Sequence, residues 1–511
     1  MSIFDHIRIK KPKYSSFDLS HEKKLSMKMG ILYPTFLEEV VPGDRFKVNS
    51  TIMMRLAPML APVMHRVNVY THYFFVPNRI VMDDWEEFIT GGEDGQSTVP
   101  WDNISIDEVS KGNFKKGSLA DYLGFPTLDI NDAITDPTLI NALPFKAYTT
   151  IFNEWYRDQN LTPAVDLTDS NAFTKLQGRA WEKDYFTSAL PFAQKGDPVE
   201  VPITQSDVAT PVEYESGINI VQDSPINIDS AAPADSVGFL EDAGGNKLII
   251  GANSGIDLND LRKANRLQQW LERNARAGSR YVESLKAHFG VSNKDERLQR
   301  PEYLAGGRQP ITLSEVLNHT GAIDNAGNPI SDPGGTMYGH GISVGNTNRF
   351  NRRFTEHGFI MGITSVLPRT QYMQGIHRMW TRKDKLDYFW PEFANLGEQE
   401  VFNQELAWYS TDAEQQRETV FGYQSRYAEY KSCSGKSNVH GDFRDNLDFW
   451  HMARKFSSVP GERPLLNDQF VKADPTDRIF AVQDGSDTLW CQIHHQVKAT
   501  RPMPYFGTPS L

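Results

Sequence analysis

Cysteine is nearly absent from this 511-residue chain, which contains only Cys433 and Cys491. Two cysteines do not make a disulfide framework, and their scarcity favours a reducing compartment. The chain also has no run of about 18 apolar residues, the length that a membrane span requires, and its mean hydropathy is -0.49. We therefore expect no insertion into a membrane.

Groups arranged for catalysis or metal binding are also missing from the sequence. A nucleophilic site needs a nucleophile, a base and an orienting group, and a metal site needs ligands at a workable spacing. The adjacent His494 and His495 project to opposite faces of a strand, so they are poorly placed to chelate one ion together. Asp83 and Asp84 are adjacent in the chain, so their carboxylates point apart rather than converging on a substrate. We therefore expect neither an enzyme nor a cofactor-binding protein.

Alternating apolar and polar residues predict two long β-strands near the start of the chain. Over Phe46–Leu56 one face is apolar and the other polar, and Val67–Phe75 repeats the two-residue period of a half-buried strand. Pro58 and Pro62 lie between them, forbid a continuous ladder and favour a corner. Long alternating strands joined by such corners indicate an antiparallel sandwich rather than a βαβ enzyme core.

Strand character returns late in the chain. It is predicted at Phe359–Leu367, and again at Asp477–Val482 and Thr488–Ala499, the last two joined by an Asp-Gly turn that favours a hairpin. Helical spacing predicts a helix over Leu143–Asn160 and helices from Asp257 to Phe289. The glycine- and proline-rich stretch of residues 321–345 is expected to be irregular. Strands at both ends that enclose such insertions are expected of a jelly roll with enlarged connections.

Several sequence blocks resemble the major capsid protein of the small single-stranded DNA bacteriophages, the Microviridae, and most of all the gokushovirus branch. The blocks span most of the chain in the order of that family, whereas Gly196–Asp260 carries no resemblance. The blocks are Phe17–Phe46, Leu143–Leu161, Ala275–Val291 with Arg297–Gly307, His357–Tyr372, and Phe421–Lys431 with Leu447–Phe456.

The resemblance implies a mainly β fold, namely an eight-stranded antiparallel viral jelly roll (a β-sandwich) with long loop and helical insertions. It further implies self-assembly into a T=1 icosahedral shell around circular single-stranded DNA. The partners it implies are other copies of the chain, a small basic DNA-binding phage protein, a pilot protein and a bacterial surface receptor. The protein would then be part of the virion and would assemble in the bacterial cytoplasm, in keeping with reduced cysteines.

Charge is distributed unevenly along the chain. The net charge is -12, but Gly196–Asp260 holds 12 acidic residues against Lys247 alone, which leaves 53 acidic and 52 basic residues elsewhere. We divide the chain accordingly into a basic arm (1–30), jelly-roll strands with insertions (31–195), an acidic inserted loop (196–260), and helices, loops and the remaining strands (261–511).

The acidic inserted loop has two interpretations. Its composition is that of a disordered linker, but the resemblance implies an outward protrusion at the threefold axes that meets the host cell. Acidity fits the outward location, because this segment would be repelled by DNA. The host-attachment candidates are Glu213, Glu215, Asp223, Asp229 and Asp235.

Two basic regions are candidates for facing the packaged DNA. The arm is either a solvated charged tail or a DNA contact; its candidates are Arg8, Lys10, Lys11, Lys13, Lys23 and Lys24. A second cluster interleaves cations with aromatic residues, which suits base stacking but equally suits a core or a subunit interface. Its candidates are Arg378, Trp380, Arg382 and Lys383.

Two other classes of protein compete with the capsid interpretation. A carbohydrate-binding or carbohydrate-active β-sandwich would need a concave aromatic platform with converging carboxylates, and no such pattern is evident. A minor phage spike protein would form small oligomers without closing a shell.

Overall fold

The computed structural model describes residues 13–91, 96–129, 131, 133–134, 136–197, 240–241, 247–248, 258–277, 287, 294, 299–319, 335–433, 438–457 and 463–506. The chain divides into two compact units, one of Gln194–Arg276 and one of Met1–Ala193 with Ala277–Leu511. The smaller unit therefore extends beyond the acidic inserted loop, because it takes in nearly all of the helix that follows residue 257.

The described β-strands vary from two residues to seventeen. They are β1 (Ser15–Asp18), β2 (His21–Met27), β3 (Tyr33–Val40), β4 (Arg45–Leu56), β5 (Val67–Pro77), β6 (Asn103–Ile106), β7 (Thr138–Asn141), β8 (Leu240–Glu241), β9 (Lys247–Leu248), β10 (Glu302–Leu317), β11 (Met337–Arg353), β12 (Gly358–Pro368), β13 (Glu398–Phe402), β14 (Val420–Ser425) and β15 (Leu489–Arg501).

Nine of these strands form one antiparallel sheet. β15 pairs with β1 and β2 on one side and with β4 on the other, and the order continues through β11, β10, β5 and β12 to β3. β10 pairs with β5 through Glu302–Ile311 and with β11 through Thr312–Leu317, so this strand passes from one half of the sheet to the other.

The strand order is that of a jelly roll. One half contains β2, β15, β4 and β11, and the other contains β3, β12, β5 and β10. When these eight strands are numbered in chain order, the halves read 1-8-3-6 and 2-7-4-5, the two interlocked Greek keys of a jelly roll. The predicted fold class is therefore confirmed.

The two halves share their core. Phe46 and Val48 of β4 belong to one buried cluster with Tyr73 and Phe75 of β5. Ile52 and further apolar residues of β4 and β15 meet β5 and β12 in a second cluster. The alternation predicted for Phe46–Leu56 is confirmed, because its apolar face is buried in these clusters.

A buried polar network also connects the halves. The Tyr73 hydroxyl donates to Ser50 Oγ at 2.6 Å, and Ser50 Oγ lies 2.7 Å from His495 Nδ1. The other ring nitrogen of His495 lies 3.1 Å from the carbonyl oxygen of Thr35. Buried polar groups of this kind persist because each has a hydrogen-bond partner.

The half formed by β3, β12, β5 and β10 is covered on its outer side. Phe74 of β5 and Met361 of β12 belong to a cluster with Phe114, Tyr148 and Ile151, which come from the long connection between β5 and β10. Consequently β5 and β12 are buried on both faces along nearly their whole length. The prediction that β5 is half-buried is therefore wrong.

The described helices are short apart from one. They are α1 (Asn78–Val81), α2 (Trp85–Thr90), α3 (Leu119–Leu123), α4 (Leu143–Ile151), α5 (Ser170–Phe173), α6 (Leu258–Ala277), α7 (Asn403–Leu406), α8 (Glu414–Arg417), α9 (Ala428–Lys431) and α10 (Asp468–Val471), with 3-10 turns at Lys111–Phe114, Arg378–Trp380, Lys385–Asp387, Pro391–Phe393, Gly441–Arg444 and Asp448–Trp450. The helix predicted over Leu143–Asn160 is α4 followed by a π-helical turn, Phe152–Tyr156. The helix predicted from Asp257 is α6. Most of the stretch between the end of α6 and Phe289 lies outside the described residues.

Three sequence-based expectations are corrected. Asp477–Val482 is not a strand, so the expected hairpin is absent from these described residues, and Phe480 makes only an isolated bridge to Met59. Part of the stretch expected to be irregular belongs to β11, and β10 was not predicted. Residues 15–18 and 21–27 of the expected arm form β1 and β2 and are integral to the sheet.

Glycine explains why β11 escaped prediction. A Cβ atom on Gly339 would lie 2.2 Å from the carbonyl oxygen of Ala61 in the proline-rich corner, and one on Gly345 would lie 2.1 Å from Gln309 Oε1. Glycine marks strand positions where another chain segment approaches closely. These residues therefore look like loop signals in the sequence although they serve the packing of a strand.

Candidate nucleic-acid and assembly surfaces

The structure separates the candidates of the basic arm. Arg8, Lys10 and Lys11 lie outside the described residues, whereas Lys13 is exposed. Lys24 is also exposed and projects from the outer face of β2.

Lys23 is turned into the subunit. Its ammonium group donates to the carbonyl oxygens of Pro34, at 3.2 Å, and of Tyr122. Desolvation by burial, opposed by Asp121, lowers the pKa of Lys23 to about 8. This ammonium group holds β2 to neighbouring segments and is not at the surface to meet a phosphate.

The second cluster is internally neutralised. The Arg378 guanidinium donates to the carbonyl oxygen of Glu400 at 2.7 Å and lies 3.6 Å from the carboxylate of Glu405. Arg382 lies 3.5 Å from the carboxylate of Glu429, and both side chains are less than 10% exposed. These two guanidinium groups therefore balance buried carboxylates of the same subunit.

Glu405 is a buried carboxylate whose charge needs stabilising partners. Burial raises its pKa, and Arg378 together with the Tyr185 hydroxyl, which donates at 2.8 Å, opposes that rise. A buried carboxylate without such partners would be strongly destabilising. The role that the structure gives Arg378 is to hold this carboxylate, not to project towards a ligand.

The remaining members of the cluster lie at the surface beside other aromatic residues. Trp380 is 71% exposed, and the Lys383 side chain is 70% exposed at 3.5 Å from Glu418. Exposed aromatic side chains of the same region are Tyr388, Phe389, Trp390 and Tyr430. Contiguous exposed apolar surface marks an interaction site. With its two arginines neutralised, this patch suits a subunit interface better than a phosphate contact.

The host-attachment candidates Glu213, Glu215, Asp223, Asp229 and Asp235 all lie outside the described residues. Within the described part of the smaller unit, most of the charged residues of α6 are cations. The Gln268 side-chain amide donates to Gln194 Oε1 at 2.5 Å. The charged character of this unit therefore changes sign between the acidic inserted loop and α6.

A surface that sequence reasoning missed lies on the outer face of β15, β4 and β11. Lys498 lies opposite Lys47, which lies opposite Asn351 on the next strand. Two residues further along, Gln496, Asn49 and Arg349 form the next row. The polar face of β4 was visible in the sequence, but its alignment with residues some 300 and 450 positions away was not.

The described residues offer little support for a metal site, a membrane-spanning helix or a reactive thiol. No three His, Cys, Asp or Glu side chains there are grouped to hold a metal ion, and none of the described helices is long and apolar enough to cross a membrane. Burial raises the pKa of Cys491 to about 12, so its thiol is inert. His495 is buried and the His494 side chain is 42% exposed, in agreement with their expected opposite faces.

Comparison with known proteins identifies the family. The family model described as "Capsid protein (F protein)" matches residues 6–511. The chain belongs to this capsid protein family. It is 34% identical to capsid protein VP1 of Chlamydia phage 1 and 35% identical to capsid protein VP1 of Bdellovibrio phage phiMH2K. Capsid protein VP1 of Spiroplasma virus 4 is 29% identical, and each match covers 97% of this chain and 95% of the relative.

These findings confirm the resemblance to Microviridae-type capsid proteins and the structural role. The chain is a structural component of a bacteriophage virion, and membership of this family implies self-assembly into a capsid.

Proposed function

We propose that this capsid protein assembles into a T=1 icosahedral shell that encloses circular single-stranded DNA. The observation that carries the proposal is the match to VP1 capsid proteins over 97% of this chain and 95% of two relatives. A match of this extent includes the connections between the jelly-roll strands as well as the strands themselves.

The form of the subunit supports the proposal. A closed shell needs several different contacts per chain, and each stable contact buries on the order of 800 Å² per partner. The connection between β12 and β15 presents the exposed patch of Trp380, Tyr388, Phe389 and Trp390. Aromatic residues are enriched in the centres of protein interfaces. We therefore assign this patch to contact with another copy of the chain.

Expression of the full chain, followed by size-exclusion chromatography and electron microscopy, tests the shell. We expect closed particles of one diameter with icosahedral symmetry. Small trimers or pentamers would instead indicate a spike protein, and a monomer that binds sugars would indicate a carbohydrate-binding sandwich. Either result would contradict the proposal.

The exposed arm residue Lys13 supports a contact of the basic arm with DNA, together with Lys10 and Lys11. Each phosphate that is neutralised on a single strand contributes about 0.7 to the salt dependence of binding. Changing the three lysines to glutamate should reduce the DNA retained per particle, measured by absorbance after nuclease treatment. Lys115→Glu with Lys116→Glu is the control, and equal retention in both variants would remove the arm from the proposal.

The acidic inserted loop is proposed as the host-attachment element, and a bacterial surface receptor as its partner. The support is its excess of acidic residues and its place in the chain between jelly-roll strands. Changing the five candidate carboxylates to amides should leave particles intact and reduce their adsorption to host cells. Unchanged adsorption would exclude these side chains. A small basic DNA-binding protein and a pilot protein complete the set of proposed partners.

A further inference from the structure

The outer face of β2, β15, β4 and β11 is strongly cationic. Side chains that lie directly opposite each other on antiparallel strands share a face of the sheet, so the register determines which residues belong to it. Seven lysine and arginine residues project from this face and all are exposed. We call this surface the cationic face; its members are Lys24, Arg45, Lys47, Arg55, Arg349, Arg353 and Lys498.

Few carboxylates offset these charges. Asp18 of β1 lies opposite Lys498, and Glu22 of β2 lies opposite His494. Among the described residues, none of the seven cations lies within 4 Å of a carboxylate oxygen. This differs from the Trp380 cluster, where Arg378 and Arg382 are held by buried glutamates. The cationic face therefore keeps its charge available for a ligand.

Part of the cationic face is concave. A cavity of about 1550 Å³ lies over it, lined by Lys47, Arg349 and Lys498 together with polar side chains such as Asn49 and Gln496. A second cleft of about 510 Å³ contains Arg45 and Arg353 and shares Asn351 with the first. The second cleft also contains Glu302 and Glu356, which pair with Arg352 and Arg79. The first cleft is therefore the cationic one, and because it extends across β1, β15, β4 and β11 it suits a flexible polyanion better than a small anion.

Exposed aromatic rings lie on the cationic face and beside the first cleft. Trp490 is 50% exposed and projects from the cationic face opposite Arg55. Beyond the end of β15, Tyr505 is 64% exposed and stacks on Phe17 with ring centroids 5.7 Å apart. Proteins that bind single-stranded nucleic acid without sequence preference combine a cationic groove with aromatic rings on which bases stack.

We propose that the cationic face binds the phosphate backbone of single-stranded DNA, with Trp490 and Tyr505 stacking on bases. This inference rests on the proposed function, since it takes the enclosed genome as the ligand. It also gives the orientation of the subunit: the half containing β15 and β4 faces the interior of the shell. The other half is not available for this role, because its outer side is covered by the β5–β10 connection.

The first test measures phosphate binding on the soluble full chain before assembly. The variant Lys47→Gln/Arg349→Gln/Lys498→Gln is compared with Lys115→Gln/Lys116→Gln/Lys175→Gln, which removes three exposed cations from the covering connection. Binding of a fluorescent oligothymidylate is followed by anisotropy as a function of salt. All six side chains are exposed, so both variants should fold.

Loss of three phosphate contacts should lower the slope of log affinity against log salt by about 2. If the affinities coincide at 1 M salt, the first variant binds about 100-fold more weakly at 0.1 M than the control. Equal slopes in the two variants would overturn the proposal. Polyglutamate that binds as tightly as the oligonucleotide, and is lost in the same variant, would also overturn it, because the site would then recognise acidic peptide.

A second test isolates the stacking contribution. Trp490→Ala should weaken binding of oligothymidylate about fivefold or more, while binding of an abasic oligomer with the same phosphates stays unchanged. Trp101→Ala, which removes an exposed ring (42%) elsewhere, is the control. Equal effects on both oligomers would show that Trp490 does not stack on bases.

Assembled particles distinguish the failure of this inference from the failure of the proposed function. If the full chain forms no closed particles, the proposed shell is wrong. If particles form and the cationic-face variant retains as much nucleic acid as the control, the shell stands and the cationic face is not its genome contact.

Discussion

The two halves of the jelly roll have the same topology but opposite surroundings. The half containing β5 and β12 is enclosed, because the core clusters cover its inner face and the β5–β10 connection covers its outer face. The half containing β4 and β15 is enclosed on one face only and presents cations on the other. The difference arises from a connection that is more than 200 residues long in the sequence, not from the strands themselves.

The contrast gives the two halves of the subunit different roles. Burial on both faces makes one half the structural base of the subunit, and partial burial leaves the other half free to bind. Apolar residues on both sides of a strand replace the alternating pattern wherever a second layer covers the sheet.

The largest effect should come from the covered side of the enclosed half. Phe74 is 2% exposed and contacts Trp155 with ring centroids 5.5 Å apart. Phe74→Ala should lower the free energy of unfolding by about 3–5 kcal/mol, because a buried aromatic ring is replaced by a cavity. Lys47→Ala on the open half should change it by less than about 0.5 kcal/mol. Denaturant unfolding of the soluble chain measures both, and similar losses would refute the contrast between the halves.

Buried histidines, among them His495 of the network between the halves, should make stability depend on pH. Desolvation on burial is the main cause that lowers the pKa of His495 to about 3 and the pKa values of His65 and His72 to about 4. In the unfolded chain a histidine has a pKa near 6.5. The neutral rings therefore contribute stability that is fully present above about pH 6.5 and is lost as the pH falls towards the folded values.

We expect the free energy of unfolding to fall continuously from pH 7 to pH 4, with a shallower slope in His495→Gln. His494→Gln, on the exposed face of the same strand, is the matched control. A slope that His495→Gln leaves unaltered would show that this ring does not titrate on unfolding. Urea midpoints at several pH values supply the measurement.

A smaller effect is expected at the close approach between β11 and the proline-rich corner. Gly339→Ala would place Cβ against the backbone oxygen of Ala61, which cannot rotate away, whereas Gly112→Ala meets no atom within 4 Å. Overpacking typically costs about 1–3 kcal/mol. Thermal unfolding should show a loss for the first variant and little change for the second. Equal melting temperatures would mean that the corner moves aside readily.

Two strands of the half containing β4 and β15 could be predicted from the sequence, whereas β2 and β11 of the same half could not. β4 and β15 alternate cleanly because water lies on one side of them, so the local pattern reports the burial directly. β10 and β11 escaped prediction because their glycines serve close approaches to segments distant in the chain. The expected hairpin at Asp477–Val482 failed because β15 finds its partners in β4 and β2 instead.

The candidate surfaces show the same division. Sequence composition located the cations of the arm and of the Trp380 cluster, but it could not show that Lys23, Arg378 and Arg382 are used inside the subunit. Their partners lie on other segments of the chain, so their availability depends on packing. Conversely, no local motif joins Lys47, Arg349 and Lys498.

Local alternation, composition and ordered blocks of residues were sufficient to establish the β-sandwich class, the capsid family and the segregation of acidic charge. Which half of the sandwich is covered, and which cations remain at its surface, became apparent from the three-dimensional fold. The physical reason is that strand register and burial arise from pairing between residues hundreds of positions apart, such as Lys47 with Lys498.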